Sequence, residues 1–297
     1  MQKQPLVNAN DPFGVDHGTA VLGIVLARVP ATEKRERITG IAPGANFIGV
    51  ASWYDDKKKT ADEEGEAGGT ASSDPDIARA IYGAALQLGR GDVLLIEVET
   101  ALGYPVEVED LTLDQIRNAA ANEVIVIEAA GNGTGTVGRD LDKPPTGRPG
   151  GPKLNRSLNR KAPSFVDSGA VVVSACRSAV TSTNQHRRKG FANYGSRVDC
   201  YAWGDHVATT GGYGLGPPAG KNRSYTDSFE GTSAASAIIA GVAILTQEMA
   251  KKRTGGQHLL PKAMRDRLSD WTNGTGVISA KGQIGVMPDL KMISTLR

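Results

Sequence analysis

The residues of this chain that could do chemistry lie in three short segments, and the first surrounds Ser233. Residues 229–241 read FEGTSAASAIIAG, a glycine turn followed at once by the small residues of a buried helix. A serine in this place has its hydroxyl at a helix N-terminus, where unpaired backbone N–H groups can stabilise a developing negative charge. Ser233 is therefore a candidate nucleophile, although serine at a helix start can also act only as a cap.

The other two segments contain a histidine and an asparagine. Residues 16–25 read DHGTAVLGIV, which places His17 near the start of a small-residue helix with its ring free to face a cleft. Residues 124–133 read VIVIEAAGNG, a buried strand that ends in small residues and Asn132. The Asn132 amide could hold a turn or could donate to an oxyanion. Taken alone, neither residue distinguishes a catalytic role from a structural one.

Together and in this order, the three segments closely resemble the subtilases, the subtilisin-like serine peptidases. Residues 40–45, GIAPGA, and residues 191–195, FANYG, extend the resemblance. It covers nearly all of residues 10–293, with two polar loops as insertions. The resemblance implies a protein or peptide substrate. It suggests export from the cell, and the chain itself gives no compartment.

The resemblance also implies a role for each candidate residue. Ser233 would attack the peptide carbonyl, and His17 would take its proton and return it to the leaving amine. Asn132 would be the side-chain donor of the oxyanion hole, with the backbone N–H of Ser233 as the second donor. This chemistry requires no metal or other cofactor.

The triad aspartate is the main departure from the family pattern. In subtilisin the triad residues occur in the order Asp, His, Ser. Asp11 and Asp16 precede His17, but neither follows an apolar strand, and residues 10–14 have turn composition. We therefore assign no triad aspartate and expect an upstream segment or a separate chain to supply it. Without it we expect weak or no turnover, since subtilisin loses about 10⁴-fold in kcat when its aspartate is removed.

Glutamates replace the family's usual residues where the substrate cleft is expected. Glu97 and Glu99 follow an apolar run at a place where the family usually has an Asn-x-Ser-x-Gly strand end, and Glu128 lies near the end of the next strand. We assign Glu97, Glu99 and Gly131 to substrate binding. Two carboxylates at adjacent strand ends would either form an acidic specificity pocket or be neutralised by basic side chains, and we favour neutralisation.

The elements that must position these residues alternate between strands and helices. Apolar, β-branched runs predict strands over residues 41–50, 92–98, 124–130, 170–175 and 198–202, and helical spacing predicts helices over residues 75–88 and 113–122. This alternation predicts an α/β fold with a mostly parallel central sheet and helices on both faces, like that of subtilisin. We expect one peptidase domain over residues 1–297 that lacks its N-terminal strand or strands, with polar loops at about 55–73 and 139–162.

Composition excludes several classes of partner. Thirty-four basic residues against 32 acidic ones leave a net charge of +2, which gives no reason to expect nucleic acid. The apolar runs, such as 234–245, are too short or too interrupted to span a bilayer, which takes about 20 residues. Cys176 and Cys200 are expected to be buried thiols or one bridge. Structural calcium is common in the family, but no dense acidic loop supports a site, and the acidic residues 62–66 are expected to be solvated.

Two other interpretations remain open from the residues alone. A subtilase-like module could use the same cleft to hold a peptide without cutting it, although such a module has no need for a nucleophile, a base and an oxyanion donor together. A nucleotide-binding α/β protein would need a glycine-rich turn before a helix. Residues 131–136 follow a strand, but prolines at 144, 145 and 149 leave no room for that helix.

Overall fold

The computed structural model describes residues 12–30, 37–50, 74–146, 156–179, 186–211, 225–275 and 284–295, and side chains from residue 17 onwards. The strands, in chain order, are β1 Arg28–Val29, β2 Ile38–Thr39, β3 Val93–Ile96, β4 Ile125–Ala129, β5 Val171–Cys176, β6 Cys200–Trp203, β7 Val207–Thr210, β8 Tyr225–Phe229, β9 Gly274–Thr275 and β10 Met287–Pro288. The helices are α1 Pro12–Leu26, α2 Asp74–Ala85, α3 Asp110–Ala121, α4 Thr232–Thr254, α5 Pro261–Ser269 and α6 Leu290–Ile293.

A parallel sheet of four strands, in the order β3-β4-β5-β6, forms the centre of the described chain. Strands β4 and β5 are buried along their whole length, as expected when both faces of a parallel sheet are covered. Val93 pairs with Ile125, and Ile96 pairs with Glu128 at the other end of the two strands. The carboxyl ends of β3 and β4 therefore lie side by side, at the edge where open α/β sheets bind ligands.

Helices cover both faces of the sheet, and each face has its own core. On one face, Ile127 packs in a cluster with Ile239 of α4, and α1 and α5 also contact α4 there. On the other face, Val126 packs with Ile116 of α3 and with residues of α2. Side chains of successive strand residues point to opposite faces of the sheet, so β4 contributes side chains to both cores. The predicted α/β architecture is confirmed.

The sequence located most of the elements and missed two local details. The predicted strand over residues 41–50 is wrong: residues 41–44 form a turn, and irregular chain follows. Pro43 and Gly44 favour that turn, while Ile41 packs against Gly241 of α4. Residues 12–14, interpreted from sequence as part of a turn, belong to α1, because proline suits the first position of a helix. His17 consequently lies inside α1.

The structure describes only part of the two predicted polar loops. Residues 55–73 fall outside the described residues, and of the second loop, residues 139–146 and 156–162 contain no helix or strand. Cys176 and Cys200 are both buried and unpaired. Burial raises the pKa of the Cys176 thiol to about 12. Both cysteines therefore behave as core residues.

Helix α4 is longer than the apolar run that the sequence suggested. Within the described ranges it is the one helix long and apolar enough, by length and composition, to cross a membrane. Most of its residues are buried against the sheet and α1, including Ala235, Ala240 and Ala243. Burial in the protein core therefore accounts for its apolar composition.

Candidate active site

Ser233 lies at the beginning of α4, where β3 ends. Gly231 directly before the helix has a φ of 115°, a left-handed conformation that glycine adopts at little cost. The chain thereby turns from β8 into α4 with Ser233 as the second helical residue. The Ser233 Oγ donates a hydrogen bond to the main-chain carbonyl of Glu97 at 3.1 Å. Its backbone N–H belongs to the first helical turn, whose N–H groups have no intrahelical partner.

Asn132 follows β4 and meets the start of α4. Its Oδ1 accepts hydrogen bonds from the backbone N–H of Thr232 at 2.9 Å and from the Thr232 hydroxyl at 3.1 Å. A Cβ atom built on Gly231 would lie 3.7 Å from the backbone nitrogen of Ser233 and 3.9 Å from the Nδ2 of Asn132. The backbone nitrogen of Ser233 and the Asn132 amide are therefore neighbours beside Gly231, and the Asn132 side chain also hydrogen-bonds the Glu99 carboxylate.

Helix α1 brings His17 to this edge of the sheet by resting on β7. The Thr210 hydroxyl donates to the carbonyl of Thr19 at 3.0 Å, and the Thr209 hydroxyl donates to the carbonyl of Ala20. Gly23 permits this close approach, because a Cβ atom there would lie 2.7 Å from the backbone nitrogen of Thr210. These contacts hold α1 closely against β7.

The His17 ring packs with its edge towards Phe229, with 5.6 Å between ring centroids. About a third of the side chain is exposed, and burial of the rest lowers the pKa of His17 below its usual value of 6.5. A neutral imidazole at pH 7 is the form that can accept a proton from a serine.

Glu97 contacts both His17, the candidate base, and Ser233, the candidate nucleophile. Its Oε2 lies 3.6 Å from the Nε2 of His17, and its main-chain carbonyl accepts the Ser233 hydrogen bond. Although 23% of the side chain is exposed, Oε2 itself is inaccessible to solvent and has no hydrogen-bond partner among the described residues. Burial raises the pKa of Glu97 to about 8. The sequence singled out Glu97 without indicating that it faces His17.

Glu99 is bound to the segment that contains Asn132, the candidate oxyanion donor. Its carboxylate accepts the backbone N–H of Asn132. Burial raises the pKa of Glu99, and this outweighs the opposing effects of the hydrogen bonds from Asn132 and of nearby Arg139. Arg139 is itself held by a hydrogen bond from its Nε to the carbonyl of Leu102 at 2.6 Å. Glu99 is thus tied to its neighbours in this structure.

Glu128 does not share a pocket with Glu97. Because Ile96 and Glu128 are partners in the register of β3 and β4, their side chains leave on one face and Glu97 leaves on the other. The buried Glu128 accepts the backbone N–H of Glu107 at 2.9 Å. Burial and Glu107 raise its pKa, and Arg197 opposes them. Strand alternation therefore separates Glu97 from Glu128, and the two do not line one acidic pocket, which was the less favoured of the two alternatives.

The structure does not show the expected neutralisation by basic side chains for either glutamate. Arg197 opposes the rise in the pKa of Glu128, but its ion pairs are with Glu107 and Asp199. Glu97 has no lysine or arginine ion pair among the described residues, and His17 is its only ionic neighbour there.

Gly131 and Asn193 form a brace behind the site that sequence reasoning missed. Asn193 donates from its Nδ2 to the carbonyls of Gly103 and Ala130, each at 2.6 Å, and accepts the backbone N–H of Arg139 at 2.7 Å. Gly131 has a φ of 91°, and a Cβ atom on it would lie 2.8 Å from that Nδ2. The FANYG segment was the available signal, but the bridging role depends on contacts between distant segments.

A metal site is not evident in the part of the chain that the structure describes. No three His, Cys, Asp or Glu side chains are grouped there as metal ligands. The acidic residues 62–66 fall outside the described ranges. Structural calcium, which the family resemblance raised, therefore stays an expectation without assigned ligands.

Solved structures with the same fold are peptidases. The protease domain of PatA superposes with a TM-score of 0.62 at 20% identity over 98% of this chain and 83% of that one. A protease of Pseudoalteromonas arctica superposes with a TM-score of 0.58 at 22% identity, over 94% of this chain and 70% of that one. The MycP3 protease of a type VII secretion system superposes with a TM-score of 0.59 at 22% identity, over 95% of this chain and 73% of that one. At such identities the likeness establishes the fold.

Family membership rests on a separate comparison. A search of curated proteins found no match to this chain. The model of the subtilase family matches residues 4–282, which include the segments around His17, Asn132 and Ser233. With the fold and this match together, the chain belongs to the subtilase family of serine peptidases.

Proposed function

We propose that this chain is a serine endopeptidase that hydrolyses peptide bonds through an acyl-enzyme on Ser233. The observation that carries the proposal is the meeting of three segments at one sheet edge. Ser233 at the start of α4 and His17 from α1 both contact Glu97, and Asn132 at the end of β4 binds the residue before Ser233. A nucleophile, a base and oxyanion donors are the groups that act directly on the substrate in acyl transfer.

Each group has one task in the proposed reaction. The Ser233 Oγ attacks the substrate carbonyl carbon while its proton passes to His17. The backbone N–H of Ser233 and the Nδ2 of Asn132 stabilise the oxyanion as it forms. His17 then gives the proton to the leaving amine. A water molecule then attacks the acyl-enzyme while His17 takes its proton. His17 returns this proton to the Ser233 oxygen, which leaves the acyl carbon and becomes a hydroxyl again.

The substrate is proposed to be a peptide or protein that lies along the segment after β3. Glu97, Glu99 and Gly131 would line the site before the scissile bond. A solved relative in fold, a PatG macrocyclase, is described in complex with peptide, and another, PatA, is described as a patellamide maturation protease. These descriptions support peptide chemistry for the shared fold.

We further propose that another segment or chain supplies the carboxylate that orients His17. Among the described residues, the carboxylate beside His17 is that of Glu97, and it faces Nε2, the nitrogen that has to accept the Ser233 proton. A carboxylate beside Nε2 does not accept the Nδ1–H and so does not orient the ring as a triad aspartate does. Turnover by this chain alone should therefore be weak.

A fluorophosphonate probe followed by peptide mass spectrometry tests the proposal without requiring fast turnover. The probe should label Ser233, and Ser233→Ala and His17→Ala should both abolish labelling, because serine is weakly nucleophilic without a base. Ser236→Ala is the matched control. Ser236 lies about one turn further along α4, and its hydroxyl donates a hydrogen bond to the Ser233 carbonyl at 3.1 Å. Labelling of Ser233 should persist in this variant. Peptide binding with no labelling of the wild type would instead favour a non-catalytic binding module.

A further inference from the structure

The segment that contains Asn132 is held by the loop that follows β3. Glu99 and Pro105 pair across the base of this loop in an antiparallel bridge. Within the loop, the Gly103 carbonyl accepts the backbone N–H of Gly133 at 3.2 Å. The loop therefore contacts the segment after β4 at the residue that directly follows Asn132, and Glu99 contacts Asn132 itself.

The Glu99 carboxylate binds Asn132 at two places. It accepts the backbone N–H of Asn132, and it forms a second hydrogen bond with the Asn132 side chain. Both hydrogen bonds lower the pKa of Glu99 against the stronger effect of burial, so both favour the ionised carboxylate. An ionised carboxylate can only accept hydrogen bonds, so the side-chain donor is the Nδ2 of Asn132.

Glu99 and Thr232 together fix the orientation of the Asn132 amide. The Oδ1 accepts the backbone N–H of Thr232 at 2.9 Å and the Thr232 hydroxyl at 3.1 Å. A flip of the amide would turn Nδ2 towards the Thr232 N–H donor and Oδ1 towards the Glu99 carboxylate, and both of these pairs repel. The amide nitrogen of asparagine has two hydrogens. One is bound to Glu99, and the second is available to an oxyanion.

Arg139 is the basic residue that affects the Glu99 carboxylate, and it is held by other groups. Its Nε donates to the Leu102 carbonyl at 2.6 Å, and its guanidinium lies over the Tyr104 ring, 4.6 Å from the ring centroid. Among the described residues, the hydrogen bonds of the Glu99 carboxylate are those with Asn132.

We propose that Glu99 is a positioning residue of the oxyanion hole, which holds Asn132 so that one Nδ2 hydrogen points at the oxyanion formed during attack by Ser233. This inference rests on the proposed function for the reaction and on the structure for the contact. Glu99 acts through Asn132, which gives it a task beyond lining the substrate site. Without Glu99 the amide keeps only its anchor on Thr232, and the donor can turn away from the substrate.

The rate of fluorophosphonate labelling of Ser233 measures this task, because the phosphoryl oxygen of the probe has to enter the oxyanion hole. Glu99→Ala should slow labelling by about 10- to 10²-fold, since a group misplaced by about 1 Å can cost about 10²-fold. Glu99→Gln keeps an acceptor oxygen at the same distance and should recover most of the rate. Glu99→Asp keeps the charge but shortens the side chain, so it should react slowly, and this comparison remains if the alanine variant fails to fold.

A double-mutant cycle separates this task from a general loss of structure. In an Asn132→Ala protein the amide donor is already absent, so Glu99→Ala should slow labelling little further. Glu109→Ala is the matched control, a partly buried glutamate before α3 whose charged neighbours are Asp74 and Asp110, and it should label at the wild-type rate. An equal slowing by Glu99→Ala with and without the Asn132 amide would overturn the proposal. Faster labelling of Glu99→Ala would also overturn it, because the carboxylate would then mainly repel the oxyanion.

NMR of the Asn132 side-chain amide tests the contact without any reaction. We expect one of its N–H signals, identified by its absence in Asn132→Ala, to be shifted downfield by the carboxylate in the wild type and to lose that shift in Glu99→Ala. Loss of the shift with no labelling of wild-type Ser233 would sustain the positioning contact and reject the peptidase proposal. Unchanged amide signals in Glu99→Ala, with labelling intact, would reject the positioning role and sustain the peptidase.

Discussion

Asn132 divides its side-chain amide between the fold and the proposed reaction. The oxygen Oδ1 is occupied by Thr232, which holds the amide against the start of α4. The nitrogen Nδ2 lies near the same point as the backbone nitrogen of Ser233. One residue thus joins the segment after β4 to the first turn of α4.

Asn132→Ala should lower kcat by about 10² to 10³, because one oxyanion donor is lost, while KM changes little. The variant also leaves the Thr232 N–H without its acceptor, so the free energy of unfolding should fall by about 1 kcal/mol. Steady-state kinetics and a urea unfolding curve measure the two effects separately. A large loss of stability with kcat unchanged would show that Asn132 serves the fold alone.

Glu97 should also influence which peptides are cleaved. Above its pKa of about 8, the Glu97 carboxylate has no lysine or arginine partner among the described residues and attracts a basic substrate side chain, as the acidic pocket of trypsin does. Above pH 8 we expect faster cleavage after Arg or Lys than after apolar residues of similar length, and Glu97→Gln should erase that preference and retain apolar cleavage. Cleavage of a peptide library before and after the substitution measures this, with Glu128→Gln as control. An equal profile in both enzymes would exclude Glu97 from specificity.

Helix α1 shows how a secondary-structure element sets the position of a single side chain. His17 lies two and three residues before Thr19 and Ala20, whose carbonyls contact β7, and Gly23 lets the helix approach the strand. Ile41, from the segment interpreted as a strand, fills the space against Gly241 of α4 on the same side. Close packing through glycines therefore places α1 on β7 and Ile41 on α4, the helix that carries Ser233.

Gly23→Ala should push α1 away from β7, since an added Cβ would lie 2.7 Å from a backbone nitrogen that cannot rotate aside. We expect a loss of about 1–3 kcal/mol in the free energy of unfolding and slower labelling of Ser233 by the probe. Gly83→Ala in α2 is the matched control, because its Cβ would meet nothing within 4 Å. That control should gain up to about 1 kcal/mol. Equal behaviour of both variants would remove the packing argument.

A buried cluster of charged side chains around Arg197 joins distant segments of the molecule. Arg197 is fully buried and donates to Glu107 at 2.7 Å and to Asp199 at 2.9 Å. Burial by itself would lower the pKa of Arg197, but Glu107 and Asp199 raise it above its ordinary value. The cluster ties the segment before α3 to β6 and to Ser168 ahead of β5.

Arg197→Met should destabilise the protein by about 3–5 kcal/mol, because it leaves the buried Glu107 carboxylate without its cation, while Asp199 keeps Arg160 as a partner. Urea unfolding at pH 7 measures the loss, and part of it should return in the double variant Arg197→Met with Glu107→Gln. Arg90→Ala, which breaks an exposed pair with Glu123, is the comparison and should change stability little. A small effect at Arg197 would mean that water reaches the cluster in solution.

The sequence by itself determined the identity and order of the reactive segments and the four strands of the central sheet. Those features are local: β-branched runs of four to six residues, a glycine turn before Ser233 and small residues along α4 are visible within a few positions. Local patterns failed at residues 41–50, where an apolar run with Pro43 and Gly44 forms a turn and packs on α4.

Only the tertiary structure decided what surrounds those residues. The contact between Ser233 and Glu97 joins positions 136 residues apart, and that between Thr232 and Asn132 joins positions 100 apart. The separation of Glu97 from Glu128 depends on the register of β3 and β4, because a shift of one residue would exchange the faces. The sequence contains each side chain, but its charged neighbours, and hence its pKa and chemistry, are set by how distant segments pack.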